Sequence, residues 1–240
     1  EDVTANLKVS RSAFETIGRN MEVYNSIGAP DHISVLNSIP SAAVASPVES
    51  GLNFSADNNG HFSDNEVTDV TLTVDWDMDG FSLTSVTGFV EYEFIENCDC
   101  DFTGAAVFDA ASQEEYEQFS QEFRFTSDLD GDFDYIGGLF FQSTELVYED
   151  QAVLPTPTLI SDVLAGIPPA AGLVPFAPGS STDRSFNQEG DLWAAFAQGT
   201  WTLSDELRVT VGGRYTQETK DADRSQLHKA NAAFGGQYQS

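Results

Sequence analysis

Three features of the sequence carry residue types able to do chemistry. The first is Asn97-Cys98-Asp99-Cys100-Asp101, two thiols one residue apart among carboxylates. Such a set suits a soft metal, but a zinc site takes about four ligands, and no histidine lies within ten residues. In an oxidising compartment the pair would instead close a small disulfide at a loop tip, or shape a turn, and these readings are preferred to metal. The second is Asp75-Trp76-Asp77-Met78-Asp79-Gly80, which fits the opening of a D-x-D-x-D-G calcium loop. That loop needs a bidentate Glu at its twelfth position. Counted from Asp75 the position is Val86, so the run reads as an acidic hairpin turn, Asp and Gly being what such turns require. Asp128 to Asp134 reads the same way. The third is the set of histidines, His32, His61 and His228, far apart in sequence and all in expected loops. No G-x-S-x-G, H-E-x-x-H, P-loop or dinucleotide-binding glycine pattern occurs. Carboxylate pairs such as Glu114-Glu115 are uninformative in so acidic a chain. No catalytic, cofactor-binding or metal-ligating residue is assigned, no cofactor is expected, and an enzyme has no positive support.

Charge narrows the partners. The 240 residues hold 10 Lys and Arg against 39 Asp and Glu, a formal net charge of −29. Such a surface repels phosphate, which excludes nucleic acid and disfavours purely electrostatic binding to an anionic bilayer. Cations are attracted. No apolar run approaches the roughly 18 residues of a membrane helix, although barrel strands escape that test because they alternate. The chain begins at Glu1 without a basic-then-apolar leader, which suggests a mature chain or a fragment. Two cysteines are too few for a disulfide scaffold.

The elements that must position these residues are strands. All nine prolines fall within 17–66 and 149–190, and proline is excluded from strand interiors. Elsewhere period-two patterns appear. Phe119, Phe123 and Phe125, with Gln121 between them, alternate with Ser120, Glu122, Arg124 and Thr126. Val3, Ala5, Leu7 and Val9 alternate with polar residues over 3–11, Val70 to Trp76 over 67–76, and Leu207 to Tyr215 over 206–218. Segments 81–95, 133–148 and 191–203 are strand-like with apolar residues on both faces. About seven strands are expected, most of about ten residues or more, beyond the usual five to six. A short helix in 104–118 or 158–166 stays open.

Connections alternate in length. Tight turns are expected at 77–80, 128–132 and 204–206, two of them carrying Asp-Gly. Between them lie long connections at 17–66, 96–115 and 149–190. Loops this long are uncommon in compact soluble domains, whereas short turns on one rim and long loops on the other characterise outer-membrane barrels. The competing reading is a secreted, acidic, calcium-binding β-sandwich used in adhesion.

Particular strands resemble those of TonB-dependent outer-membrane receptors. Phe81-Ser82-Leu83-Thr84-Ser85-Val86-Thr87-Gly88-Phe89 is similar to one barrel strand of that family, as are Tyr116 to Ser127 and Phe133 to Phe140. Trp193 to Trp201, followed by Leu207 to Thr216 with Gly212-Gly213-Arg214-Tyr215-Thr216, resembles another hairpin. The resemblance runs from about residue 66 to 220. It implies an all-β fold: an antiparallel transmembrane β-barrel portion of meandering hairpins. Residues 1–240 would form a partial barrel domain of about seven strands, its plug and remaining wall lying elsewhere, since the family barrel has 22 strands around a plugged lumen. It further implies a multi-pass barrel in the Gram-negative outer membrane, uptake of a ferric siderophore or another small nutrient, and energy relayed by TonB through the plug. Outer-membrane lipid would be a partner. The short turns would face the periplasm, and Glu122, Arg124, Arg208 and Arg214 would point into the lumen, packing on the plug, lining the ligand path or simply solvating the polar face. Trp76, Trp193 and Trp201 near strand ends would suit an interfacial girdle. The apolar stretch Ala152 to Pro178 would fold over a vestibule, back into the lumen, or move freely.

Overall fold

The computed structural model describes residues 2–17, 29–38, 61–127, 131–155, 158 and 179–229. Seven strands form one antiparallel sheet in chain order: β1 (Asp2–Thr16), β2 (Phe62–Met78), β3 (Phe81–Asp99), β4 (Asp109–Ser127), β5 (Phe133–Val153), β6 (Ser181–Ser204) and β7 (Leu207–Lys229). A short helix, α1 (His32–Ser38), follows β1. Asp31 caps it, accepting from the Ser34 amide at 3.1 Å and the Ser34 hydroxyl at 2.7 Å. No helix among the described residues is long and apolar enough to cross a membrane.

The register gathers the alternating side chains onto one face. Val3, Trp76, Leu83 and Phe125 lie in one cross-strand row; Ala5, Val74, Ser85, Phe123, Leu139, Ala195 and Tyr215 form the next. On β4 the exposed residues, Glu115, Glu117, Phe119, Phe123 and Phe125, all lie on this face and those of the other are half-buried, as expected where a sheet curls around its polar side. Phe119 and Phe123 are each 42% exposed, and the described strands make a single sheet. The sandwich reading is therefore corrected: no second sheet among the described residues interdigitates with these rings. A polar island interrupts the apolar face at Gln121. Gln121 accepts from Thr87 at 2.7 Å and donates to Ser85 at 3.0 Å and to the Glu122 carbonyl at 3.1 Å, so its polar atoms are satisfied locally, as an apolar surrounding requires.

Strands of 15 to 24 residues exceed the 9–11 that cross a bilayer. The long connection expected at 96–115 is corrected to 100–108, because β3 runs to Asp99 and β4 starts at Asp109. Likewise 104–118 is mostly strand, not helix. Residues 128–130 and most of 17–66 and 149–190 lie outside the described residues, as does the possible helix at 158–166 apart from Thr158.

The periodicity continues into these extensions with its polarity reversed. On β3 the apolar face ends at Phe89 and continues with Glu91 and Glu93, while Tyr92 and Phe94 take the other face. Directly above the apolar belt, Glu91, Glu117, Glu145, Glu189 and Asp221 stand opposite one another in a single row. Like charges directly opposite one another are destabilising. The double substitution Glu117→Gln, Glu145→Gln is therefore expected to stabilise the barrel against urea at low ionic strength. The gain should shrink at about 1 M salt, where the screening length is ~3 Å; a gain independent of salt would refute the repulsion.

Candidate functional site

The face opposite the apolar belt carries the four charged residues singled out from sequence. Arg124 and Arg214 share a cross-strand row with Gly138 and Phe196 between them. Arg124 Nε donates to Glu122 at 2.9 Å. Arg214 lies over the Phe196 ring, 6.0 Å from its centre, and donates to Thr216 at 3.1 Å. Arg208 donates to Thr202 at 3.2 Å. Nearby, Thr84 donates to Asp75 at 2.6 Å, which engages one aspartate of the D-x-D-x-D-G run in the β2–β3 ladder. The turn itself closes at Gly80 with φ 85°, a conformation glycine adopts without steric cost.

Toward the long-loop rim this face becomes aromatic. Tyr92 and Tyr116 are direct cross-strand partners, and Phe94, Glu114, Tyr148, Phe186 and Arg224 continue one row across five strands. The Tyr92 hydroxyl donates to Asn65 at 3.2 Å and the Tyr116 hydroxyl to Gln118 at 2.8 Å. Arg184 Nε donates to Asp150 at 2.5 Å. Burial, and then the Asp150 charge, raise the Tyr148 phenol above its usual range; burial and Glu114 do the same to Tyr92. Both phenols stay protonated donors at neutral pH. Sequence reading missed this surface because its aromatics alternate with Glu instead of with apolar residues.

Residues 100–108 organise the rim itself. Cys98 and Cys100 form a disulfide at the end of β3. The Asp101 carboxylate accepts from the Thr103 amide (2.9 Å) and hydroxyl (2.6 Å), and from the Val107 (3.1 Å) and Phe108 (3.2 Å) amides. Phe102 takes φ 59° between them. Ala105, fully buried, packs with Val107 and with Ile33 and Leu36 of α1. Thr158, after β5, donates to the Val107 carbonyl at 3.4 Å. Ala111, Val153 and Ser181, which the register puts on the belt side of the sheet, are also buried. Asp101→Ala removes one acceptor from three amides and a hydroxyl, each charge-assisted bond being worth about 1.5–3 kcal/mol. Amide exchange over 102–108 should accelerate by at least about tenfold per lost bond, while exchange in mid-strand stays unchanged. Unaltered exchange in the loop would overturn this reading.

Among the histidines, His228 Nδ1 shares a 2.8 Å hydrogen bond with Thr182. His61 precedes β2, and the His32 side chain lies outside the described residues.

A meandering sheet of long antiparallel strands, with a largely apolar belt on one face and a polar and aromatic surface on the other, defines a transmembrane β-barrel wall. The sequence model described as "TonB dependent receptor-like, beta-barrel" matches residues 19–239, and the chain belongs to that family, one of outer-membrane receptors. No curated protein sequence matches it. Among solved structures, the ferric yersiniabactin uptake receptor FyuA from Yersinia pestis superposes on 95% of this chain and 30% of its own, with a TM-score of 0.59 and 13% identity. The ferric preacinetobactin receptor BauA from Acinetobacter baumannii covers 94% of this chain and 34% of its own at a TM-score of 0.38 and 7% identity. The siderophore receptor PiuA from the same organism covers 92% and 37% at a TM-score of 0.37 and 10% identity. The chain thus spans about a third of the length of these receptors.

Proposed function

We propose that this chain is part of the wall of an outer-membrane transporter of Gram-negative bacteria that imports a ferric siderophore or a similarly scarce nutrient with energy relayed by TonB. The single observation that carries the reading is the polarity reversal along the strands. The apolar belt meets hydrocarbon; beyond it, charges turn outward and aromatics turn inward, making a lined vestibule outside the membrane. On this reading the short turns face the periplasm. The TonB contact and the lumen-filling plug belong to parts of the receptor beyond this chain, and the wall itself does no covalent chemistry. The chain's span of about a third of FyuA is consistent with that division of labour.

The test is uptake of radiolabelled iron presented as ferric siderophores to iron-starved cells carrying the full-length receptor, with and without TonB. Accumulation that needs both proteins is the expected result. Accumulation independent of TonB, or no effect of deleting the receptor on any siderophore tried, would reject it. Replacing the inward aromatics Tyr92 and Tyr116 by Ala should weaken uptake without reducing the receptor's abundance in outer-membrane fractions.

A further inference from the structure

The Cys98–Cys100 disulfide encloses a single residue, so it ties together no distant parts of the chain, and its effect on chain entropy is small. Its effect falls on the strand. In an extended strand two such positions share a face and lie roughly 6.6 Å apart, two rises of about 3.3 Å. The Cα atoms of Cys98 and Cys100 are 5.2 Å apart. The bridge draws the chain out of the extended form, and β3 ends at Asp99. The register does not require that end. Asp99 and Asp109 are cross-strand partners, and the next pairs would be Cys100 with Phe108, Asp101 with Val107 and Phe102 with Ala106, turning at Thr103-Gly104-Ala105. Val and Phe favour strands. Instead, the Asp101 carboxylate accepts from the Val107 and Phe108 amides at 3.1 and 3.2 Å, the residues that extension would pair. Phe102 is held at φ 59°, which is costly for a bulky side chain and which extension would relieve. Ala105 is buried against Ile33 and Leu36 of α1.

We propose that this disulfide is a redox-sensitive clasp that selects between two arrangements of residues 100–108. Oxidised, it ends β3 at Asp99 and holds the segment as the capped loop that packs on α1. Reduced, it lets the hairpin extend. Ala105 then leaves Ile33 and Leu36, and the β3–β4 connection lets go of the β1–β2 connection. The reductant is a dithiol. Cys98 is 2% exposed and Cys100 is half-buried, so a thiolate of the dithiol attacks the Cys100 sulfur. The bond between Cys98 and Cys100 breaks, a mixed disulfide forms at Cys100, and Cys98 leaves as a thiolate and takes up a proton. The second sulfur of the dithiol closes on the first and releases Cys100, which is protonated in turn. Two electrons pass from the dithiol to the bridge, and the dithiol departs as a cyclic disulfide. The inference does not rest on the transport reading.

The test is amide exchange of the full-length receptor in detergent, with and without dithiothreitol, beside the double variant Cys98→Ser, Cys100→Ser. Reduction is expected to accelerate exchange over 33–36 and 103–105 by at least about tenfold, as loss of the contacts that protect them predicts. Exchange at Cys100, Asp101, Val107 and Phe108, taken together, should be no faster than before. Reoxidation should restore the original pattern. The double variant should show the reduced pattern without dithiothreitol and ignore its addition. Heat-modifiable migration confirms that each form keeps its barrel. A bridge that dithiothreitol leaves intact in the folded receptor, as read by thiol labelling, overturns the proposal, and so does unchanged exchange once the bridge is reduced. Uniform acceleration across 100–108 also overturns it, since reduction would then free the loop without extending the hairpin. A double variant that still responds to dithiothreitol rejects this bridge as the clasp.

Discussion

Placing arginine at Phe123 is expected to cost the barrel about 2–4 kcal/mol, the penalty for a cation on the lipid face near the bilayer midplane. Phe123 sits in the middle of the belt, 42% exposed, directly opposite Ser85 and Leu139. No carboxylate shares its row on the same face, so an introduced charge would have to reach the interface to be hydrated. Gln142 provides the control. It lies three rows away on the opposite face, across from Ser120 and Leu192, where an arginine meets a polar lumen. Urea titration of the full-length receptor refolded into lipid vesicles should show Phe123→Arg strongly destabilised and Gln142→Arg within about 1 kcal/mol of wild type. Equal losses at both positions would mean that the belt does not face hydrocarbon, and the membrane reading would fail with it.

Gly138→Val should be the most damaging of the small-to-large changes. A Cβ built there lies 2.5 Å from the Phe123 carbonyl oxygen and 2.6 Å from the Phe196 ring. The ring can turn; the carbonyl belongs to the β4–β5 ladder and cannot move without breaking pairing. Overpacking of this kind costs about 1–3 kcal/mol. Gly213 is the natural comparison, since a Cβ there meets nothing within 4 Å and valine is favoured in strands. Phe196→Ala added to Gly138→Val should recover only part of the loss, because the backbone contact persists. Full recovery would show that the ring alone is responsible. The same urea titration reads all three variants.

Much of the wall was legible in the chain because hydrocarbon enforces strict alternation. Residues 119–125 and 207–215 announce their outward faces at every second position. The β2–β3 turn was equally plain, since Asp79-Gly80 leaves few other conformations. What escaped were the strand extensions. Beyond Phe89 the outward residues become Glu91 and Glu93 and the inward ones Tyr92 and Phe94, so a search for apolar alternation reports apolar residues on both faces and stops. The period never changed; only its sign did. The rim escaped for a different reason. Asp101 is one aspartate among many in an acidic sequence, and its four donors come from residues that carry no local signature. The ladder puts Glu122, Arg124, Arg208 and Arg214 on the face opposite the apolar belt, and the same face turns aromatic nearer the rim, at Tyr148 and Phe186.

Strand order in the sheet equals strand order in the chain. A strand therefore depends for its pairing only on what immediately precedes and follows it. Removing or duplicating one whole hairpin would leave every other pairing intact, changing only the circumference, by two strand spacings of about 4.8 Å each. Adding a single strand would reverse the direction of everything after it and exchange the two rims. Pore width in such a wall is thus heritable in even steps, which lets gene duplication resize the ring without redesigning its remaining staves.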